Sequence, residues 1–196
     1  MMKFKALLLF ASTLAVAACG QKADTSANAD MNTSDTSMTN MDAGNMAAND
    51  TATAAPTSAQ GFVNAAAASD KFEIETSKLA SAAGASSATK AFATKMIDAH
   101  TASTAKLKST LSGMNPPVTP VDTLTAEQQS TLDNLKTLKG ADFDAAYKTA
   151  QVDAHTKTLD VLKNYSASGD TPALKTFADG LIPTVTAHLN MAKGLK

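Results

Sequence analysis

The chain is predicted to be all-α, an antiparallel four-helix bundle with a short extra helix in its second connection. Three observations predict it. Apolar residues recur at three- and four-residue steps from about residue 60 to the C-terminus, and no stretch alternates as a strand would. Gly and Pro clusters punctuate that pattern at intervals suited to helix ends. Finally, "MIDAHTASTAKL" at 96–107 is echoed 55 residues later by "QVDAHTKTLDVL" at 151–162, as two helical hairpins of one bundle would allow.

The first helix is placed from about Gly61 to Ala83, with Phe62, Ala66, Phe72, Thr76, Leu79 and Ala83 on its inner stripe and Gly84 as its stop. Ser86 or Ser87 caps the second, whose stripe holds Phe92, Met96, Ala99, Leu107 and Leu111. "SGMNPPVTPVD" ends it, because closely spaced prolines lack the donors and the backbone room a helix needs. Thr125-Ala-Glu-Gln128 reads as a capping box opening a short helix through Leu138. Gly140 is expected to close that helix and Asp142 to cap the next, which runs from Phe143 to about Tyr165 with Tyr147, Ala154, Val161 and Leu162 inward. In "SASGDTP", Gly169 stops, Asp170 or Thr171 caps, and Pro172 takes a first-turn position. The last helix carries Leu174, Phe177, Leu181, Val185, His188, Ala192 and Leu195 on one stripe, with Pro183 expected to kink it.

What precedes the bundle has a different composition. Lys3 and Lys5, then an apolar run from Ala6 to Ala18, form a signal-peptide core; at roughly a dozen residues the run is well short of the about 20 that span a bilayer. The run ends in Val16-Ala-Ala-Cys19, which resembles a bacterial lipobox. Cys19 is the single cysteine of the chain, so an internal disulfide is impossible and acylation gives the thiol a role. Each buried acyl CH₂ contributes roughly 0.8 kcal/mol, so several chains would hold the protein firmly on a membrane. Gln21 is not the Asp associated with inner-membrane retention in enteric lipoproteins, and that resemblance points to the outer membrane facing the periplasm.

Residues 19–59 are Ala, Ser, Thr, Asn, Asp and Met with almost no large aliphatic, a composition that buries too little apolar surface to offset ordering entropy. They are expected to form a disordered tether with an r.m.s. span of about 35 Å. Met31, Met38, Met41 and Met46 dot it, and Met38 with Met41 are candidate soft ligands for copper.

Several function classes are excluded by what the chain lacks. All 17 basic residues are Lys and Trp is absent, so bidentate gripping of phosphate is missing along with the largest stacking surface. With a formal net charge of −1, nothing draws nucleic acid. No Gly-flanked Ser elbow appears and no thiol is left free, so the chain is expected not to be an enzyme.

The segments "FVNAAAASDKFEIETSKLA", "FATKMIDAHTASTAKL", "QVDAHTKTLDVL" and "LIPTVTAHLNMAKGL" resemble successive blocks of the bacterial domain-of-unknown-function family numbered 4142. The resemblance covers essentially residues 60–196. It implies a ferritin-like bundle and an envelope address, since members carry outer-membrane labels, and it implies no activity.

Only three histidines occur, and counting at about 1.5 Å per residue puts His100 and His155 at mid-helix, with Glu73 at the same height and His188 within roughly 7 Å of it. Imidazole and carboxylate suit Zn, Fe, Ni or Cu. Met96 and Met191, one turn from His100 and His188, are candidate softer ligands. The competing expectation is a buried polar layer in which the histidines hydrogen-bond to one another, to Thr101, Thr156 or Thr184, or to water, and set helix register. Residues two apart on a helix diverge by about 200°, so Asp98 and Asp153 should face solvent. Glu73 is then the one inward carboxylate expected, and the Glu-x-x-His pattern of a ferritin-type di-iron site is absent. The primary expectation is a lipid-anchored binding or stress-protective module without a cofactor. The alternatives are a metal-binding protein using His100, His155, His188 and Glu73, or a copper-scavenging tether.

Overall fold

The structure, a computed structural model, describes residues 55–83 and 85–196. Five helices occupy them: α1 Ala59–Ala82, α2 Ser87–Leu111, α3 Ala126–Thr137, α4 Gly140–Ser168 and α5 Pro172–Lys193. Among the described residues there is no strand, and no helix there is long and apolar enough to cross a membrane. The lipobox, the apolar leader, Met38, Met41 and Gly84 lie outside the described residues.

Helices α1, α2, α5 and α4 form a closed ring, each packing on the next, while α3 lies on α1 and α4. Local chemistry sets the helix ends. The Ser58 and Ser86 hydroxyls accept from the Gly61 and Thr89 amides at 3.3 and 3.2 Å. Thr125 and Gln128 complete the capping box. Two ends differ from the expectation. Gly140 does not close α3; it is the first residue of α4, with φ +55°, and its amide donates to the Ala83 carbonyl at 2.9 Å. That left-handed conformation suits glycine, which has no Cβ to clash. Asp142 accordingly sits inside the first turn, where its charge favours the helix dipole rather than capping by hydrogen bond. Pro183 lies within α5, which continues through it.

The end of the predicted tether belongs to the folded body. Asn164 donates to the Ala55 carbonyl at 2.9 Å, the Asp170 amide donates to the Thr57 carbonyl at 3.1 Å, and the Asp170 carboxylate accepts from the Ala59 amide at 3.1 Å. These bonds satisfy backbone groups that composition alone assigned to solvent.

The long connection before α3 is tied to the outer face of α1. Gln60 donates to the Thr119 carbonyl at 2.7 Å, and Asn64 accepts from the Val121 amide at 3.0 Å.

Two apolar clusters fill the bundle. One gathers Phe72, Phe92, Met96, Leu135, Phe143 and Tyr147. The other gathers Phe62, Leu107, Leu162, Tyr165, Leu174 and Phe177, with the Phe62 and Tyr165 rings stacked at 4.1 Å between centroids. Each such side chain contributes roughly 1.5–3 kcal/mol by leaving water. Between the clusters runs a belt of buried polar side chains, and that belt is where the histidines fall.

Candidate metal centre

His100 on α2, His155 on α4 and His188 on α5 are all buried, with relative exposures of 5%, 1% and 7%. Their ring centroids are 5.5 to 5.8 Å apart, and each offers a nitrogen such that all three lie within 4.8 Å of one another. Helical periodicity delivers each one: His100 follows Met96 by one turn and His188 follows Val185, so both share the stripe of core residues.

The rings are held from behind. His100 Nδ1 pairs with Asp70 Oδ1 at 2.8 Å, and the other Asp70 oxygen accepts from the Thr104 hydroxyl at 2.9 Å. His155 Nδ1 donates to the Gln151 backbone carbonyl at 2.7 Å, one turn back on its own helix. A ring whose Nδ1 carries the proton presents a bare lone pair at Nε2. His100 Nε2, His155 Nε2 and His188 Nδ1 are buried with no hydrogen-bond partner. A buried polar atom left alone costs about 1–3 kcal/mol. Three of them in one layer call for a water or an ion. Thr101 and Thr156 are exposed, and the Thr156 hydroxyl donates to its own helix at Val152. Thr184 is exposed too. The threonine partners expected from sequence are therefore replaced by Asp70 and a main-chain carbonyl.

Glu73 is interior, 1% exposed, and both its carboxyl oxygens lack partners. Its Oε1 stands 3.5 Å from His155 Nδ1, the nitrogen already engaged by Gln151, so it lies outside the group of converging donors. The Gln151 side-chain amide donates instead to the Thr76 hydroxyl at 3.3 Å. Asp98 and Asp153 are exposed, in line with their spacing. The soft-ligand candidates fall elsewhere: Met96 packs inside the first apolar cluster, and Met191 is 36% exposed.

Asp70 was missed. The expectation of one inward carboxylate is corrected to two, because Asp70, 5% exposed, shares the α1 face of Glu73 three residues on. Its spacing from Glu73 and Ser77 was a usable signal, obscured because a short acidic residue beside Lys71 reads as surface.

Burial shifts the charges. It pushes His155 down to about 4, with repulsion from His100 and His188 adding to the effect. It likewise pushes His188 down to about 4, again with His100 opposing a second positive ring. For His100 burial also acts downward, but the Asp70 hydrogen bond and the Glu73 and Asp70 charges outweigh it and hold the ring above its ordinary value. Burial raises Glu73 to about 7 against the pull of His100. Two of the three imidazoles are thus free bases at neutral pH, the form that binds metals.

One cavity of about 690 Å³ reaches this layer, with His100 and His188 in its wall. Ala99, Ser103 and Thr184 line it beside them, and Phe62, Ala66 and Val185 give it an apolar interior.

Fold and site together define an all-α bundle protein with a buried layer of three converging imidazoles. The chain belongs to the DUF4142 family, a domain of unknown function, whose profile matches residues 43–195. The match begins upstream of the bundle, within the stretch read as tether. No curated protein and no solved structure matches the chain.

Proposed function

We propose that this protein is a lipid-anchored envelope protein whose ferritin-like bundle binds one first-row transition-metal ion through His100, His155 and His188. The observation that carries the metal reading is three buried imidazoles whose donor atoms lie within 4.8 Å of one another, each ring having a nitrogen with no protein partner. An ion of the Zn, Cu or Ni class satisfies all three at once. On a tetrahedral ion with metal–nitrogen distances of about 2.0–2.1 Å, donors stand roughly 3.4 Å apart, so the rings close inward on binding. Asp70 and the Gln151 carbonyl then act as the outer partners that fix ring orientation. The rival is a buried polar belt whose three nitrogens are satisfied by trapped water instead of an ion, and metal uptake separates the two.

The antiparallel, ferritin-like reading is supported by which helix ends share a cluster. Phe62 near the start of α1 meets Leu107 near the end of α2, Tyr165 late in α4 and Leu174 early in α5. Neighbours in the ring therefore run in opposite directions, and α2 and α4 run the same way, joined by the long crossover that carries α3. The Glu-x-x-His pairs of di-iron sites are absent, so one ion rather than two is expected. The anchor reading rests on Val16-Ala-Ala-Cys19, and a Cys19→Ser variant is expected to leave the membrane fraction.

Elemental analysis and Zn²⁺ competition titration of the full chain test the metal reading. One ion per chain is expected, with affinity falling at least 100-fold in His188→Ala. A folded protein, checked by circular dichroism, that takes up no metal overturns it.

A further inference from the structure

We infer that the three-histidine centre keeps an open coordination position facing the cavity, and that this position takes a small organic acid with its carboxylate on the metal and its apolar body in the cavity. The inference rests on the metal reading above and goes beyond it by naming the ligand.

Three observations carry it. First, among the His, Cys, Asp and Glu side chains of the described residues, three donors converge and no fourth joins them. His100, His155 and His188 are the group whose donor atoms converge, Asp70 has both oxygens engaged by His100 and Thr104, and Glu73 lies against the occupied nitrogen of His155. Centres with three protein ligands are those that hold water or substrate in the fourth place, whereas structural zinc sites close all four.

Second, the approach is built from small side chains. Ala99 and Ser103 on α2 and Thr184 on α5 line the cavity at His100 and His188, where a leucine would fill it. At about 690 Å³ the space lies in the range of small-molecule pockets, roughly 300–1,000 Å³. His155 and Glu73 do not line it, so a ligand arrives from the side of the other two rings.

Third, charge and polarity select the ligand class. A divalent ion on three neutral imidazoles puts positive charge in a water-poor layer, which an anionic oxygen donor offsets. Away from the rings the wall is mixed: Phe62, Ala66, Leu181 and Val185 offer an apolar bed for a hydrocarbon body, and the exposed Glu127, Asp153 and Lys157 add charged groups.

The experiment uses the full chain loaded with Co²⁺, whose visible bands report its coordination sphere. Azide, acetate, benzoate and octanoate are titrated in turn. Saturable band changes with azide are expected, and octanoate or benzoate should act at concentrations at least tenfold below acetate. Ala99→Leu and Ser103→Leu should keep one Co²⁺ per chain and lose at least tenfold in octanoate affinity. Co²⁺ bands that ignore every anion mean a closed centre; they overturn this inference and leave the metal reading standing. A response to azide with no preference for octanoate or benzoate over acetate overturns the ligand class. A folded chain with no Co²⁺ bands, and no other metal uptake, defeats the metal reading itself, which is a different failure.

Discussion

The same four helices build two kinds of interior. At either end of the bundle, aromatic and aliphatic side chains close on one another: Phe143 stacks on Tyr147 at 5.6 Å, Phe62 on Tyr165 at 4.1 Å. Where a polar atom enters those ends it is matched, as with the Tyr147 and Ser77 hydroxyls at 2.7 Å. In the middle, Glu73, Gln151 and the three histidines leave buried atoms without partners. The ends therefore supply stability, and the middle draws on it. Replacing such a belt by apolar groups of equal volume is often neutral or stabilising, which is why a ligand for its open atoms is worth testing.

The contrast can be broken most heavily at an end. Phe62→Ala removes the ring between Tyr165 and Phe177 and is expected to cost about 3–5 kcal/mol in urea unfolding of the metal-free protein. A loss below 1 kcal/mol would mean the ends are not where the stability lies.

Acid sharpens the comparison from the other side. His155 and His188 have folded-state values of about 4 against 6.5. Between those pH values the unfolded chain binds more protons, so their contribution is complete above pH 6.5 and lost as pH falls to 4. For the almost fully buried His155 the loss is on the order of 3 kcal/mol. Glu73, raised from 4.5 to about 7, acts oppositely: its contribution is complete below pH 4.5 and lost as pH rises to 7. Melting of the metal-free wild type should therefore drop more steeply than that of His155→Leu between pH 6.5 and 4. Parallel curves would show that His155 is not held neutral by burial.

The gentlest change acts through one ring. Asp70→Asn weakens the bond that orients His100 and is expected to lower Zn²⁺ affinity about 10–100-fold, with the helical content unchanged. Unchanged affinity would detach Asp70 from the centre. An exposed pair such as Lys71 and Asp122, 3.4 Å apart, is a fitting control, since exposed ion pairs typically contribute under about 1 kcal/mol.

Much of the bundle was legible because helix formation is local. Phe92, Met96 and Leu107 recur at helical steps and all are buried; the Thr125–Gln128 capping box and the Gly169 stop needed no distant partner. The height of the histidines also followed from counting along helices. Illegible were the partners. That Asp70 rather than Thr101 backs His100 depends on how α1 and α2 are rotated about their axes. Ala55 and Thr57 looked like tether for the same reason, because their hydrogen-bond partners, Asn164 and Asp170, lie more than 100 residues away.

The sequence by itself determined five helices, the caps at Ser86 and Thr125, the stop at Gly169, the inward stripes and the mid-bundle level of His100 and His155. Short-range periodicity and hydrogen bonding within a few residues are enough for these. Only the tertiary structure decided that three ring nitrogens converge while Glu73 stands aside, and that a cavity opens at His100 and His188. Those outcomes depend on rotations and offsets between helices that are set by side-chain packing across the whole bundle, which no single segment encodes.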